Sequence, residues 1–141
     1  MNKQVIENKL ESLRRCIERV ATKTPSSAAE LVNNFDTQDV IVLNLSRAVQ
    51  LAVDVGSHIV SESKLPAPTS MRKVFESLQG MHVISEAVSV RMKNAVGFRN
   101  VAVHCYDDLN IDIVFAICTQ RLDDFKQFSK EVYEFIQVGD S

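Results

Sequence analysis

The chain has 141 residues, of which 45% are apolar and 24% charged, and a formal net charge of −2. This length supports a single domain over residues 1–141, and the balance excludes a disordered chain. Cys16, Cys105 and Cys118 lack the spacing of a zinc site or a disulfide framework, and a net charge near zero provides no global field for nucleic acid.

Residues 3 to 22 carry Ile6, Leu10, Leu13, Ile17 and Val20 at spacings of 4, 3, 4 and 3, one apolar stripe of an α-helix. The polar start has no signal-peptide core. Pro25 ends the first helix, and 27 to 34 predict one short extra turn. Asp36 or Thr37 is the expected N-cap of a long helix over 38 to 62. Ile41, Leu45, Ala48, Ala52, Val55 and Ile59 form its main stripe, and Val42, Leu43, Val49 and Leu51 add apolar area elsewhere. Such a helix is expected to be covered on more than one side, by this chain or by a partner subunit. The longest uninterrupted apolar runs fall short of the roughly 20 residues of a membrane span. The sequence therefore reads as cytoplasmic, with no membrane contact.

Pro66 and Pro68 hold a loop, and a short helix is predicted over 70 to 79, capped by Thr69 and ended by Gly80. Ser85 caps the next helix, which shows Val88, Met92 and Val96 on one face and an expected interruption at Gly97. "YDDLN" ends it, with Asp107 and Asp108 expected near the cap of the last helix. That helix, over 110 to 137 with Asn110 or Asp108 as cap, carries Val114, Cys118, Leu122, Phe125, Phe128, Val132 and Phe135. No stretch alternates with period two for long enough to be a strand. The expected fold is all-α, an up-and-down bundle of four to five helices.

The segment "GFRNVAVHCY", residues 97 to 106, concentrates the polar chemistry. On a helix Asn100 and His104 share a face, and Arg99 and Tyr106 line up on a neighbouring one. Arg99 and His104, five apart, stand about 140° from each other around the axis. A kink at Gly97, or a helix end near His104, would let them form two walls of one pocket. Arginine offers a phosphate two charge-assisted hydrogen bonds and stays charged. An imidazole exchanges protons near neutrality. Together they suffice for RNA cleavage without a metal: a base takes the 2′-OH proton and a cation stabilises charge on phosphorus. The same pair near a helix end also caps carbonyls or holds surface water, and spacing leaves both readings open.

Arg91, Lys93 and Arg99, with no acid between them, are a candidate basic patch or a solvated helix face. Asp54 and His58, four apart, are a candidate supporting pair for the site, a helix-face hydrogen bond, or a dimer contact. Arg47 either faces a dimer cleft or pairs with an acid. Two ligands do not make a metal site, so no metal and no cofactor is expected.

"VGFRNVAVHCY" resembles the signature of the HEPN superfamily, in which an arginine, four to six variable residues and a histidine mark a ribonuclease site. It is closest to the HepT toxin branch, which adds a tyrosine two residues after the histidine. Arg99, His104 and Tyr106 match without a gap, and Asn100 is the usual polar residue after the arginine. "LNLSRAVQLAVDVGSHI" and "LDDFKQF" resemble the family's second and last helices. The resemblance implies a helical homodimer with paired Arg–His sets facing a cleft at the two-fold interface. It implies a metal-independent endoribonuclease toxin acting on cellular RNA, with tRNA among the targets. Arg99, Asn100 and His104 would be its catalytic residues. It also implies a nucleotidyltransferase antitoxin of MntA type that transfers AMP to Tyr106, in a complex of the dimer or of a higher hetero-oligomer. The alternative is a non-catalytic HEPN subunit that binds nucleotide or substrate for such a partner.

Overall fold

The computed structural model describes residues 2–138. These form seven α-helices: α1 (Lys3–Lys23), α2 (Ala28–Val32), α3 (Phe35–Ser61), α4 (Met71–Gly80), α5 (Glu86–His104), α6 (Ile111–Gln120) and α7 (Leu122–Val138). A 3₁₀ turn, Tyr106–Asp108, links α5 to α6. The fold is all-helical, as the patterning implies. The helices outnumber the expected four to five because α2 is a separate element and the final stretch is two helices.

α1 begins where the Asn2 side chain accepts from the Val5 amide at 3.3 Å, and its stripe from Ile6 to Val20 packs against α3. α3 starts earlier than the spacing suggests. Asn34 is its cap, accepting from Thr37 N at 3.0 Å, so Asp36 and Thr37 lie inside the first turn. Gln38, one turn on, is buried, and its Nε2 donates to the Leu31 and Val32 carbonyls at 2.8 and 3.1 Å. The Leu31 carbonyl also accepts from Asn34 N at 3.1 Å, so Gln38 adds a side-chain donor to the carbonyls that end α2. One side chain thus joins α2 to α3.

α3 is the axis of the bundle, packing against α1, α2, α4, α5 and α7. It is long and apolar enough to cross a membrane by length and composition, but over half of the qualifying window is buried among the other helices. Core packing accounts for that apolarity. α4 approaches α3 at Gly56, where a Cβ would stand 2.5 Å from Val74 Cγ1 and 2.9 Å from Leu78 Cδ1.

α5 starts at Ser85, whose Oγ accepts from Val88 N at 3.2 Å, and runs unbroken to His104. Gly97 does not interrupt it. Its role is spatial: a Cβ there would meet the Arg72 guanidinium of α4 at 3.0 Å. The predicted 110–137 helix breaks at Arg121, whose backbone (φ −122°, ψ 1°) leaves helical geometry for one residue. Thr119 Oγ1 donates back to the Phe115 carbonyl at 3.0 Å, a contact that bends helices. Asp123 and Asp124 then favour the positive end of α7. The break lets α6 lie on α2 while α7 returns across α1 and α5. Phe75 of α4 meets Phe128 of α7 edge to face, centroids 5.8 Å apart, near the middle of the core.

Candidate active site

Arg99 lies on the last turns of α5, half-buried against α3. Its Nη2 donates to Gln50 Oε1 at 3.3 Å and its Nη1 to Asn100 Oδ1 at 3.5 Å. Gln50 Nε2 in turn donates to Asp54 Oδ1 at 2.9 Å. The row is therefore carboxylate, amide, guanidinium, and the amide keeps the acid from pairing with the arginine. Because Asp54 takes the nitrogen end of the amide, Gln50 presents its oxygen to Arg99. The guanidinium is aimed yet not neutralised: among the described residues Arg99 has no carboxylate partner. Asn100 gives its oxygen to Arg99, which leaves its amide hydrogens for a ligand, and the residue is exposed.

His104 is exposed and is the last residue of α5. Cys105 ends the helix with a non-helical backbone (φ −139°, ψ 48°) while its amide still donates to Val101 O at 2.8 Å. The helix end near His104 thus exists and the kink at Gly97 does not. Arg99 and His104 keep their five-residue separation on one regular helix, on different sides of it. A cavity of about 740 Å³ lies beside α5, lined by Phe98, Val101, Leu109 and Ile113, and neither Arg99 nor His104 lines it. Neither group is therefore a wall of that cavity: Arg99 turns to α3, and His104 is exposed at the end of α5.

Tyr106 lies beyond the helix, in the 3₁₀ turn closed by Asp108 N to Cys105 O at 2.9 Å and Leu109 N to Tyr106 O at 3.1 Å. Its hydroxyl donates to Asp39 Oδ1 of α3. Burial by the surrounding chain, then the hydrogen bond and charge of Asp39 and the charge of Asp107, push the phenol up to about 12. Arg99 is tied to Gln50 and Tyr106 to Asp39, eleven positions earlier on α3. At 1.5 Å per residue these anchors are about 16 Å apart, so Arg99 and Tyr106 do not line up as neighbours. They mark two ends of one strip, with His104 on the segment between.

Other expected groupings dissolve. Arg91 pairs with Asp124 of α7 at 2.8 Å and Lys93 with Glu76 of α4 at 3.9 Å, because their side chains leave α5 in different directions. The basic patch is therefore not a patch: of the three, Arg99 is the one with no acidic partner among the described residues. Asp54 bonds Gln50 rather than His58, whose buried Nε2 has no hydrogen-bond partner among the described residues. Arg47 lies within electrostatic reach of Cys16 on α1. Asp107 and Asp108 belong to the 3₁₀ turn, and Asn110 caps α6, accepting from Asp112 N at 2.9 Å. Burial pushes the Cys16 and Cys118 thiols up, and Cys105 is exposed. Among the described residues no three His, Cys, Asp or Glu gather closely enough to hold a metal ion.

The family model described as ribonuclease HepT-like matches residues 6–132. The chain is 36% identical over 124 residues to the mRNA nuclease HepT of Shewanella oneidensis, covering 88% of this chain and 92% of that protein. It is 22% identical over 132 residues to the tRNA nuclease HepT of Aphanizomenon flos-aquae, covering 94% and 90%. Among solved structures it resembles the tri-AMPylated Shewanella oneidensis HEPN toxin in complex with MNT antitoxin, with a TM-score of 0.87, 34% identity, and coverage of 95% and 99%.

Proposed function

The chain belongs to the ribonuclease HepT-like family, and on that premise we propose that it is the toxin of a toxin–antitoxin pair. It cleaves cellular RNA, mRNA or tRNA, in the cytoplasm and without a metal ion. The observation that carries this reading is the Arg99 guanidinium, fixed by a neutral amide and paired with no acid among the described residues, on the same short segment as an exposed imidazole.

His104 takes the proton of a ribose 2′-OH, and the oxygen attacks the adjacent phosphorus. Arg99 stabilises the charge that develops on the phosphoryl oxygens, and the free amide of Asn100 orients one of them. The bond from phosphorus to the 5′-oxygen breaks, and that oxygen takes a proton from an imidazolium or from water. Two copies related by a two-fold axis would set two such segments across one cleft and supply both base and acid. The strip supports this arrangement, since Phe35 and Leu43 on α3 and Val101 and Val103 on α5 leave apolar side chains exposed around it.

Tyr106 is the acceptor of AMP from an MNT-type nucleotidyltransferase partner. An adenylate there adds bulk and negative charge to the strip that RNA must occupy. In growth assays the wild-type chain expressed alone should arrest cells, while Arg99→Ala and His104→Ala should not, with both variants folding normally. Toxicity that survives both substitutions removes these residues from the active site. Intact RNA together with nucleotide binding by the wild-type protein identifies a non-catalytic subunit instead.

A further inference from the structure

Tyr106 is exposed, and a phenol so placed can take its hydrogen bonds from water. Instead its hydroxyl is tied to Asp39, 67 positions away in sequence and on another helix. Asp39 is itself exposed and, among the described residues, forms no ion pair. Its carboxylate therefore meets the phenolic proton on one side and bulk water on the other. This is the placement of a group that receives a proton and passes it on.

We propose that Asp39 aims the Tyr106 oxygen and accepts its proton during nucleotidyl transfer, an inference that rests on Tyr106 being the AMP acceptor. The co-reactant is a magnesium-bound nucleoside triphosphate held by the partner enzyme. The Tyr106 oxygen bonds to the α-phosphorus, the bond from that phosphorus to the bridging oxygen of the β-phosphate breaks, and pyrophosphate leaves. The phenolic proton passes to Asp39 Oδ1 and then to water. Transfer of the proton as the new bond forms avoids a free phenolate, a species disfavoured where the phenol sits near 12.

The product has a consequence for the fold around it. An aryl phosphodiester has no O–H to donate, so the contact with Asp39 is lost. Its negative charge then faces Asp39 and Asp107, and like charges repel. The modified side chain is turned off α3, along the strip toward Arg99.

The test uses the full chain with its MNT-type nucleotidyltransferase and MgATP, following AMP addition by intact mass. Asp39→Asn keeps an oxygen acceptor but cannot take the proton, and is expected to slow transfer about 100-fold near neutrality. The rate ratio of Asp39→Asn to wild type should climb as pH rises from roughly 6 to 9, because hydroxide replaces the missing base. Asp39→Glu should recover part of the rate, and melting curves should show both variants folded. A rate for Asp39→Asn like wild type, or a loss equal at every pH, overturns the proposal. Tyr106→Phe separates the two claims. If it is modified as fast as wild type, the acceptor reading fails and this inference falls with it. If it is not modified while Asp39→Asn matches wild type, only the role of Asp39 fails.

Discussion

The guanidinium of Arg99 is tethered to α3 through the side-chain oxygen of Gln50 at 3.3 Å, and that oxygen carries no charge. The contact fixes orientation without competing for a phosphate as a carboxylate would. Replacing Gln50 by Glu places an anion on the guanidinium, and a hydrogen bond between charged partners is worth about 1.5–3 kcal/mol. RNA cleavage by Gln50→Glu should fall at least about tenfold for that reason, whereas Gln50→Ala should mainly loosen Arg99 and cost less. Single-turnover cleavage rates check the order, and a Gln50→Glu variant as active as wild type rejects it. Tyr106 offers a second check. Its phenol, raised from 10.0 to about 12, holds its proton more tightly in the folded chain than in the unfolded one. The associated stabilisation is complete below pH 10 and is lost as pH rises through 12. Ultraviolet titration of the native protein should show Tyr106 ionising late, and Asp39→Asn should bring it only part of the way down, because burial, the largest single cause, remains. Gln50 and Asp39 escaped the sequence reading because their partners lie 49 and 67 positions away. Nothing local distinguishes either from an ordinary polar residue on a helix.

Helices were legible where one periodic stripe decides them. The stripe of α1, the Ser85 and Asn110 caps and the long apolar α3 all follow from spacing and cap chemistry. The split at Arg121 did not show, since "TQRLDD" holds neither Gly nor Pro and the bend comes from Thr119 and from tertiary packing. Gly97 looked like a breaker, because the sequence does not reveal that Arg72 fills the space above it. Two substitutions test the element packing. Gly56→Ala gains helix propensity of about 1 kcal/mol but forces Val74 and Leu78 aside, and overpacking costs about 1–3 kcal/mol. Val74 is β-branched and both residues are buried, so the net effect should be a loss of stability. Denaturant unfolding checks it, and an unchanged midpoint would mean that α4 can shift freely. Asn110→Ala removes the cap of α6 and should cost about 1 kcal/mol.

One core joins all seven helices, and the candidate site lies on its surface, where α5 runs out over α3. The motif names the candidate residues in the sequence; their layout comes only with the fold. Spacing suggested a pocket in one chain, whereas the fold spreads Arg99, His104 and Tyr106 along a strip with exposed apolar neighbours. The proposed mechanism calls for a second copy to complete such a strip, so sedimentation equilibrium should give twice the chain mass of 15.8 kDa. A monomer at working concentration would leave the base and acid of the mechanism on one imidazole. The most direct test of the chemistry is the structure of the cut ends of RNA treated with purified wild-type protein in EDTA. Attack by the ribose 2′-oxygen leaves a 2′,3′-cyclic phosphate and a 5′-hydroxyl, in wild-type reactions and not with His104→Ala. Cleavage that stops in EDTA, or ends carrying a 5′-phosphate, would contradict it.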